Sequence, residues 1–240
     1  MPEAVPAEIP ARLSARSIVL PVGLERAPLP DGHFAQYRGG RCTPDVGPPW
    51  PRGRRHLVLW NHRWEFDKRP DLLSRTLLRL LDDGLDFDVA LLGESRGHED
   101  LLRPLAERLG DRCVAYGYEP DRAAYAGWLQ RADIVVSCAD QEYFGIAVAE
   151  AVHAGAYAVL PRQQVYPSLY GSACKGDHFY RTAGEFYRLL RRLLTSDECG
   201  HVCGLDAAVD PFCWPRLIDR YDALLAETDR EPERGPGGRR

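Results

Sequence analysis

"DIVVSCADQEYFGIAVAEAVHAGAYAVLP", residues 133–161, reads as one strand–helix–strand unit, and that reading decides the fold. "DIVVSC" (133–138) and "AYAVLP" (156–161) are short continuous apolar runs, the pattern of strands covered on both faces. Between them "YFGIAVAEAVHAG" is a helical segment of mostly small apolar residues. Strands joined by a helical crossover lie parallel in one sheet. Two acids interrupt this apolar stretch: Glu142 where the helix should begin, and Glu150 inside it. Val or Leu would pack better at either place, so each carboxylate calls for a partner.

The same alternation extends outward from this unit. "HLVLW" (56–60), "FDVALLG" (87–93) and "CVAYGY" (113–118) are further buried-strand runs. A helix starts near Pro70, with Leu72, Leu73, Leu77, Leu80 and Leu81 on one face before Gly84. "HEDLLRPLAERLG" and "DRAAYAGWLQRA" supply two more. The fold class expected is α/β: a single Rossmann-like, doubly wound parallel sheet over residues 56–228. Residues 1–55, rich in Pro, Gly and Arg, read as an N-terminal extension with one strand-like run, "SIVLPVG" (17–23), and an irregular connection over 27–55. Residues 229–240 read as a disordered tail.

Composition narrows the classes of function. A net charge of −4 argues against a free-standing nucleic-acid binder working through bulk positive charge. No stretch approaches the ~18 to 20 apolar residues of a membrane span, and the first residues lack a signal-peptide layout. Seven cysteines without framework spacing point to reduced thiols in a cytoplasm. The cluster "CGHVCG" (Cys199, His201, Cys203) is half a metal site at most, since no second ligand pair matches it; helix-end packing is the simpler reading.

Ligands of such sheets bind where strand ends feed into helices. Two loops qualify: "NHRWEFDKRP" (61–70), with Arg63 and Lys68, and "ADQEYFG" (139–145), which opens a helix. A helix N-terminus offers unpaired donors and partial positive charge to phosphate, and Gly145 lets a ligand come close to the backbone. Arg63, Lys68 and the helix amides together make a diphosphate cradle. Glu142 then accepts from sugar hydroxyls, and Glu150, two turns along, from the ribose. On spacing alone an equal alternative stands for the acids, with Glu142 merely complementing the helix dipole and Glu150 a solvated surface position, while Arg63 and Lys68 by themselves read rather as ordinary loop charges. His62 and His153 read as structural or polar-contact residues.

The E-x7-E of "EYFGIAVAEA" and the Arg…Lys of "HRWEFDK" resemble the signatures of retaining GT-B glycosyltransferases. From about 56 to 225, "LWNHRWEFDKRPD", the long run from "GYEPDRAAYAGW" to "AYAVLP", "VYP" and "PFCWPRL" resemble, more narrowly, the tRNA-queuosine mannosyltransferases. The resemblance implies GDP-mannose as donor, queuosine of tRNA as acceptor, retention of configuration, and neither metal nor cofactor. It implies that Arg63 and Lys68 hold the diphosphate, Glu142 the sugar and Glu150 the ribose. The amides of Phe144, Gly145 and Ile146 would then face phosphate or sugar, and the Tyr116–Gly117–Tyr118 backbone the base.

Two departures qualify it. GT-B enzymes have two Rossmann-like halves, and this chain holds only the donor half, with "ARSIVLPVGLE" similar to the last strand and hinge of the acceptor half. Transfer to tRNA would then need an acceptor half from elsewhere, as a separate partner or as sequence lost from this chain. Second, Ser168 in "VYPSLYG" stands where relatives often carry Glu. The terminal "DPFCWPRLIDRYDALL" has a stripe of Phe212, Leu217, Tyr221 and Leu224, which either crosses to the other half or packs on its own domain. Two other functions stay open: a non-catalytic nucleotide-sugar binding module, and a GT-B enzyme with a lipid or polysaccharide acceptor.

Overall fold

A computed structural model describes residues 8–25, 55–95, 97–171, 177–195 and 205–228. Most of the 27–55 connection, the 229–240 tail and the Cys199–His201–Cys203 cluster lie outside the described residues.

Six strands form one sheet: β1 His56–Trp60, β2 Phe87–Leu92, β3 Cys113–Gly117, β4 Ile134–Val136, β5 Tyr157–Pro161 and β6 Phe179–Tyr180. Their spatial order is β3-β2-β1-β4-β5-β6, with every pairing parallel. The first five coincide with the apolar runs of the sequence; β6 has two residues and leaves no periodic signal. In register, Val58 faces Val89 on one side and Ile134 on the other. The chain winds outward from β1 to β3, then returns to lay β4 on the opposite flank of β1. The carboxyl ends of β1 and β4 are therefore the topological switch point of the sheet, where ligands of this architecture bind.

Nine helices are described: α1 Glu8–Ser14, α2 Pro70–Asp82, α3 Arg103–Leu109, α4 Arg122–Arg131, α5 Ile146–His153, α6 Tyr166–Tyr170, α7 Ala183–Thr195, α8 Asp206–Val209 and α9 Trp214–Thr228. Strand pleating sends alternate residues to two apolar layers. Val58, Trp60, Val89 and Leu91 pack with Leu73, Leu77 and Leu80 of α2 and Phe186 and Leu190 of α7. Leu57, Leu59, Ala90 and Leu92 pack with Leu129 of α4 and Val148, Ala149, Ala151 and Val152 of α5. Pro70 occupies the first turn of α2, where its missing N–H costs nothing. The small residues of α5 let its axis lie close to the sheet.

Three expectations shift. "SIVLPVG" forms no strand: Pro21 cannot donate to a ladder, and the segment lies along α9 instead of beside a sheet strand. The hydroxyl of Tyr221 donates to the Pro21 carbonyl at 2.7 Å, Arg220 donates to Val19 at 3.1 Å, and an isolated bridge joins Leu24 to Cys213. The terminal stripe thus packs within the described body, with Leu217 buried and Phe212 edge-on to Phe144. "HEDLLRPLAERLG" breaks into a 3₁₀ turn and α3, which restarts with Pro104 in its first turn. The third shift is that α5 begins at Ile146, beyond Tyr143 and Phe144, because Gly145 takes a left-handed conformation (φ 81°, ψ 50°) as its cap.

Candidate functional site

The two loops at the switch point are bonded to one another. The Asp140 amide donates to the Asp67 carbonyl at 2.8 Å, and Arg69 reaches the Asp140 carboxylate at 3.3 Å. Lys68, in a 3₁₀ turn over Phe66–Lys68, is buried between them. Its Nζ donates to the Gln141 carbonyl at 2.8 Å and lies 3.1 Å from Asp67 Oδ2 and 3.4 Å from Glu142 Oε2. A lysine buried this deeply needs such compensation.

Glu142 is equally committed. Its Oε1 accepts from the amides of Tyr143 and Gly145, each at 3.1 Å, so the carboxylate closes the loop that enters α5. The Gly145 amide expected to face a ligand is therefore occupied by Glu142. The reason is local: a carboxylate three residues ahead of a left-handed glycine folds back onto its N–H. The first α5 ladder bond runs from Ala149 to the Gly145 carbonyl, so the N–H groups of Ile146, Ala147 and Val148 precede the ladder. Phe144 turns its ring to Phe212, while Ile146 is exposed.

Arg63 and Glu150 line one cavity of about 270 Å³, together with Asn61, Tyr118, Arg122 and Tyr125. Arg63 is exposed, with Nη1 3.2 Å from Glu65. Glu150 is no solvated surface group: its side chain is 10% exposed, with one partner at each oxygen. Arg122 Nη2 is 2.7 Å from its Oε1, and the Tyr125 hydroxyl donates to its Oε2 at 3.0 Å. Asn61 Nδ2 donates both to that hydroxyl and to the Ala147 carbonyl, each at 2.9 Å, tying the end of β1 to α4 and α5. Burial, with the charge of Glu150 next, pushes the Tyr125 phenol up, so it stays a protonated donor.

A neighbouring cavity of about 360 Å³ is walled by Trp64, Tyr116, Gly117 and Tyr118. Gly93, Glu94 and Tyr118 line both cavities. Gly93 (φ 140°) is required there, because a Cβ would overlap the His62 carbonyl. His62 links the two halves of the site: it lines the cavity with Arg63 and Glu150, and it feels the charges of Glu142 and Lys68. Burial drives its pKa down from 6.5 to about 4, with Lys68 acting the same way and Glu142 opposing, so the ring is neutral at pH 7.

The ten residues given ligand contacts from the sequence thus fall into two groups. Arg63, Tyr118 and Glu150 share a cavity that Tyr116 and Gly117 border from the next one, while Lys68 and Glu142 pair beside it at the entry to α5, with Phe144, Gly145 and Ile146 on that same entry. Ser168 turns its hydroxyl onto the Val165 carbonyl at 2.7 Å. Asn61, Gly93, Arg122 and Tyr125 escaped the sequence reading. Arg122 and Tyr125 are three apart on α4 and so share a helix face, but only the strand order shows that this face meets Glu150. Among the described residues, no cluster of three or more His, Cys, Asp or Glu is suited to a metal ion, and no helix is long and apolar enough to cross a membrane.

No protein-family model matches the chain. It is 41% identical over 158 residues to the tRNA-queuosine alpha-mannosyltransferase of Drosophila melanogaster, a match covering 64% of this chain and 38% of that protein. It is 34% identical over 116 residues to the D-inositol 3-phosphate glycosyltransferase of Arthrobacter sp. (strain FB24), covering 47% of this chain and 27% of that one. The chain thus spans well under half the length of either curated relative. Among solved structures, sucrose-phosphate synthase from Thermosynechococcus elongatus superposes with a TM-score of 0.65 at 17% identity, over 92% of this chain and 56% of that one. The fold is that of one half of a GT-B glycosyltransferase, and over 64% of its length the sequence is similar to a tRNA-queuosine alpha-mannosyltransferase.

Proposed function

We propose that this chain binds the donor of a retaining, metal-independent mannosyltransferase, taking GDP-mannose and passing mannose to the queuosine of tRNA in the cytoplasm. The observation that carries the reading is the shared cavity of Arg63 and Glu150 at the switch point, with Lys68 and Glu142 paired beside it. The similarity to the fly enzyme supports the choice of donor and acceptor.

In this reading Arg63, Lys68 and the first amides of α5 receive the diphosphate. Their charge and dipole stabilise the negative charge that grows on the leaving GDP as the bond from its phosphate oxygen to the anomeric carbon breaks. The acceptor hydroxyl oxygen bonds to that carbon on the same face, and its proton passes to the departing phosphate oxygen. Glu142 holds Lys68 in place with Oε2, and its remaining lone pairs accept from mannose hydroxyls. Glu150 accepts from the ribose, and the base lies along Gly117 and Tyr118. The tRNA is engaged by a second Rossmann-like half, in the same protein or in a partner.

A thermal-shift series with GDP-mannose, GDP, UDP-glucose and ADP tests this. Stabilisation by GDP and GDP-mannose is expected, ~2.7 kcal/mol at 100 times the dissociation constant. Stabilisation by UDP-glucose alone would move the donor to another sugar nucleotide, and no shift with any of the four would refute the nucleotide site. Transfer assayed separately on queuosine-containing tRNA and on lipid or polysaccharide acceptors, with the second half supplied, then identifies the acceptor.

A further inference from the structure

Glu150 is gripped at both oxygens, and the direction of one grip is fixed by the structure. The Ala147 carbonyl can only accept, so the group that Asn61 presents to it must be the amide nitrogen. That same Nδ2 donates to the Tyr125 oxygen, which leaves the single phenolic proton of Tyr125 for Glu150 Oε2, 3.0 Å away. The other oxygen of Glu150 meets Arg122 Nη2, a nitrogen it shares with Glu25 Oε2 at 3.1 Å on a half-exposed side chain. Of the two holds, the relay Asn61–Tyr125–Glu150 is the more rigid, since it runs from the end of β1 through partly buried groups.

We infer that Tyr125 is a positioning residue that fixes the plane of the Glu150 carboxylate, and thereby sets a preference for ribose over 2′-deoxyribose at this site; the inference rests on the nucleotide reading above. With one bond spent at each oxygen, each still has capacity to accept another, and Glu150 lines the 270 Å³ cavity. Two adjacent hydroxyls need both oxygens at a fixed spacing and tilt. A single hydroxyl can follow a carboxylate that turns. Removing the Tyr125 hydroxyl leaves Glu150 anchored through Arg122 alone, free to turn toward the shared guanidinium, so the loss falls on the diol.

The test is calorimetric titration of the full 240-residue chain with GDP, 2′-deoxy-GDP and inorganic pyrophosphate, in the wild type, Tyr125→Phe and Glu150→Gln. The wild type should prefer GDP over its 2′-deoxy form ~10-fold. Tyr125→Phe should weaken GDP ~5- to 10-fold, change 2′-deoxy-GDP by less than ~2-fold and leave pyrophosphate unaltered. Glu150→Gln should lose the preference as well. If the wild type binds neither nucleotide, the underlying nucleotide reading fails and the inference falls with it; if the wild type binds both alike, or Glu150→Gln keeps the preference, the nucleotide site stands and the inference is overturned. If Glu150→Gln loses the preference while Tyr125→Phe keeps it, or Tyr125→Phe weakens all three ligands alike, the inference alone is overturned. Should Tyr125→Phe not fold, Arg122→Gln is read instead: with the Tyr125 contact to Glu150 intact it should keep the preference for GDP over 2′-deoxy-GDP, and loss of that preference would overturn the inference.

Discussion

The ammonium of Lys68 lies 3.4 Å from Glu142 Oε2, and this pair spans the two loops that meet at the switch point. Each member has a second duty: Lys68 also donates to the Gln141 carbonyl, and Glu142 also accepts from two amides at the entry to α5. The Lys68 side chain is 9% exposed and that of Glu142 16%, so deleting either charge leaves the other poorly solvated. In the proposed reading, a diphosphate would meet a lysine whose position is already fixed, which lowers the ordering cost of binding.

Lys68→Ala should therefore lower both stability and pyrophosphate affinity, each by about 1–3 kcal/mol. A double-mutant cycle with Glu142→Gln, read by urea denaturation, should give a coupling of about 1 kcal/mol. Additive single effects, within about 0.3 kcal/mol, would mean that the two charges do not support each other.

Arg63 makes the opposite case. Its guanidinium is exposed and pairs with Glu65, two residues along, so Arg63→Ala should leave stability within about 0.5 kcal/mol of the wild type. GDP affinity should nevertheless fall by roughly 1.5–3 kcal/mol, because a charged contact to phosphate is lost. Unchanged calorimetric affinity would remove Arg63 from the diphosphate.

Gly145 joins conformation to contact. Its φ of 81° is left-handed, and an added Cβ would sit 3.0 Å from Cε1 of the buried Tyr166 ring and 3.4 Å from Glu142 Cγ. Gly145→Ala should cost about 1–2 kcal/mol from backbone strain alone, with a lower urea midpoint at unchanged m-value. Pyrophosphate binding should weaken too, since Glu142 and the entry to α5 move together. A variant as stable as the wild type would show that the helix can start elsewhere.

The sheet was legible because buried parallel strands write continuous apolar runs, and Val58, Val89 and Ile134 sit in such runs. Segment 17–23 looked like a strand from composition, but composition does not say whether a neighbouring strand exists to pair with it; here α9 takes that place through Tyr221 and Arg220. Glu142 and Glu150 could be picked out because charge in an apolar context is conspicuous, and Arg63 and Lys68 because their loop follows the first strand. What each touches could not, since Lys68 and Glu142 are 74 residues apart and Tyr125 and Glu150 are 25 apart. Such pairings depend on strand order, and local periodicity does not encode it.

His62 gives the fold a pH dependence of known sign. Burial holds its folded pKa at about 4, below the ordinary 6.5, so between these values the unfolded chain binds the proton more readily. Stability then rises with pH through this window and is lost as pH falls from about 6.5 toward 4, by roughly 3 kcal/mol at most. Asp71, whose carboxyl is held below its usual 3.8 first by its hydrogen bond from Arg69, loses its contribution only below 3.8, so it does not mask the histidine. Urea denaturation at pH 7 and pH 4.5 should show a marked drop for the wild type and a smaller one for His62→Gln. Parallel losses in both proteins would mean that His62 is not the group that titrates.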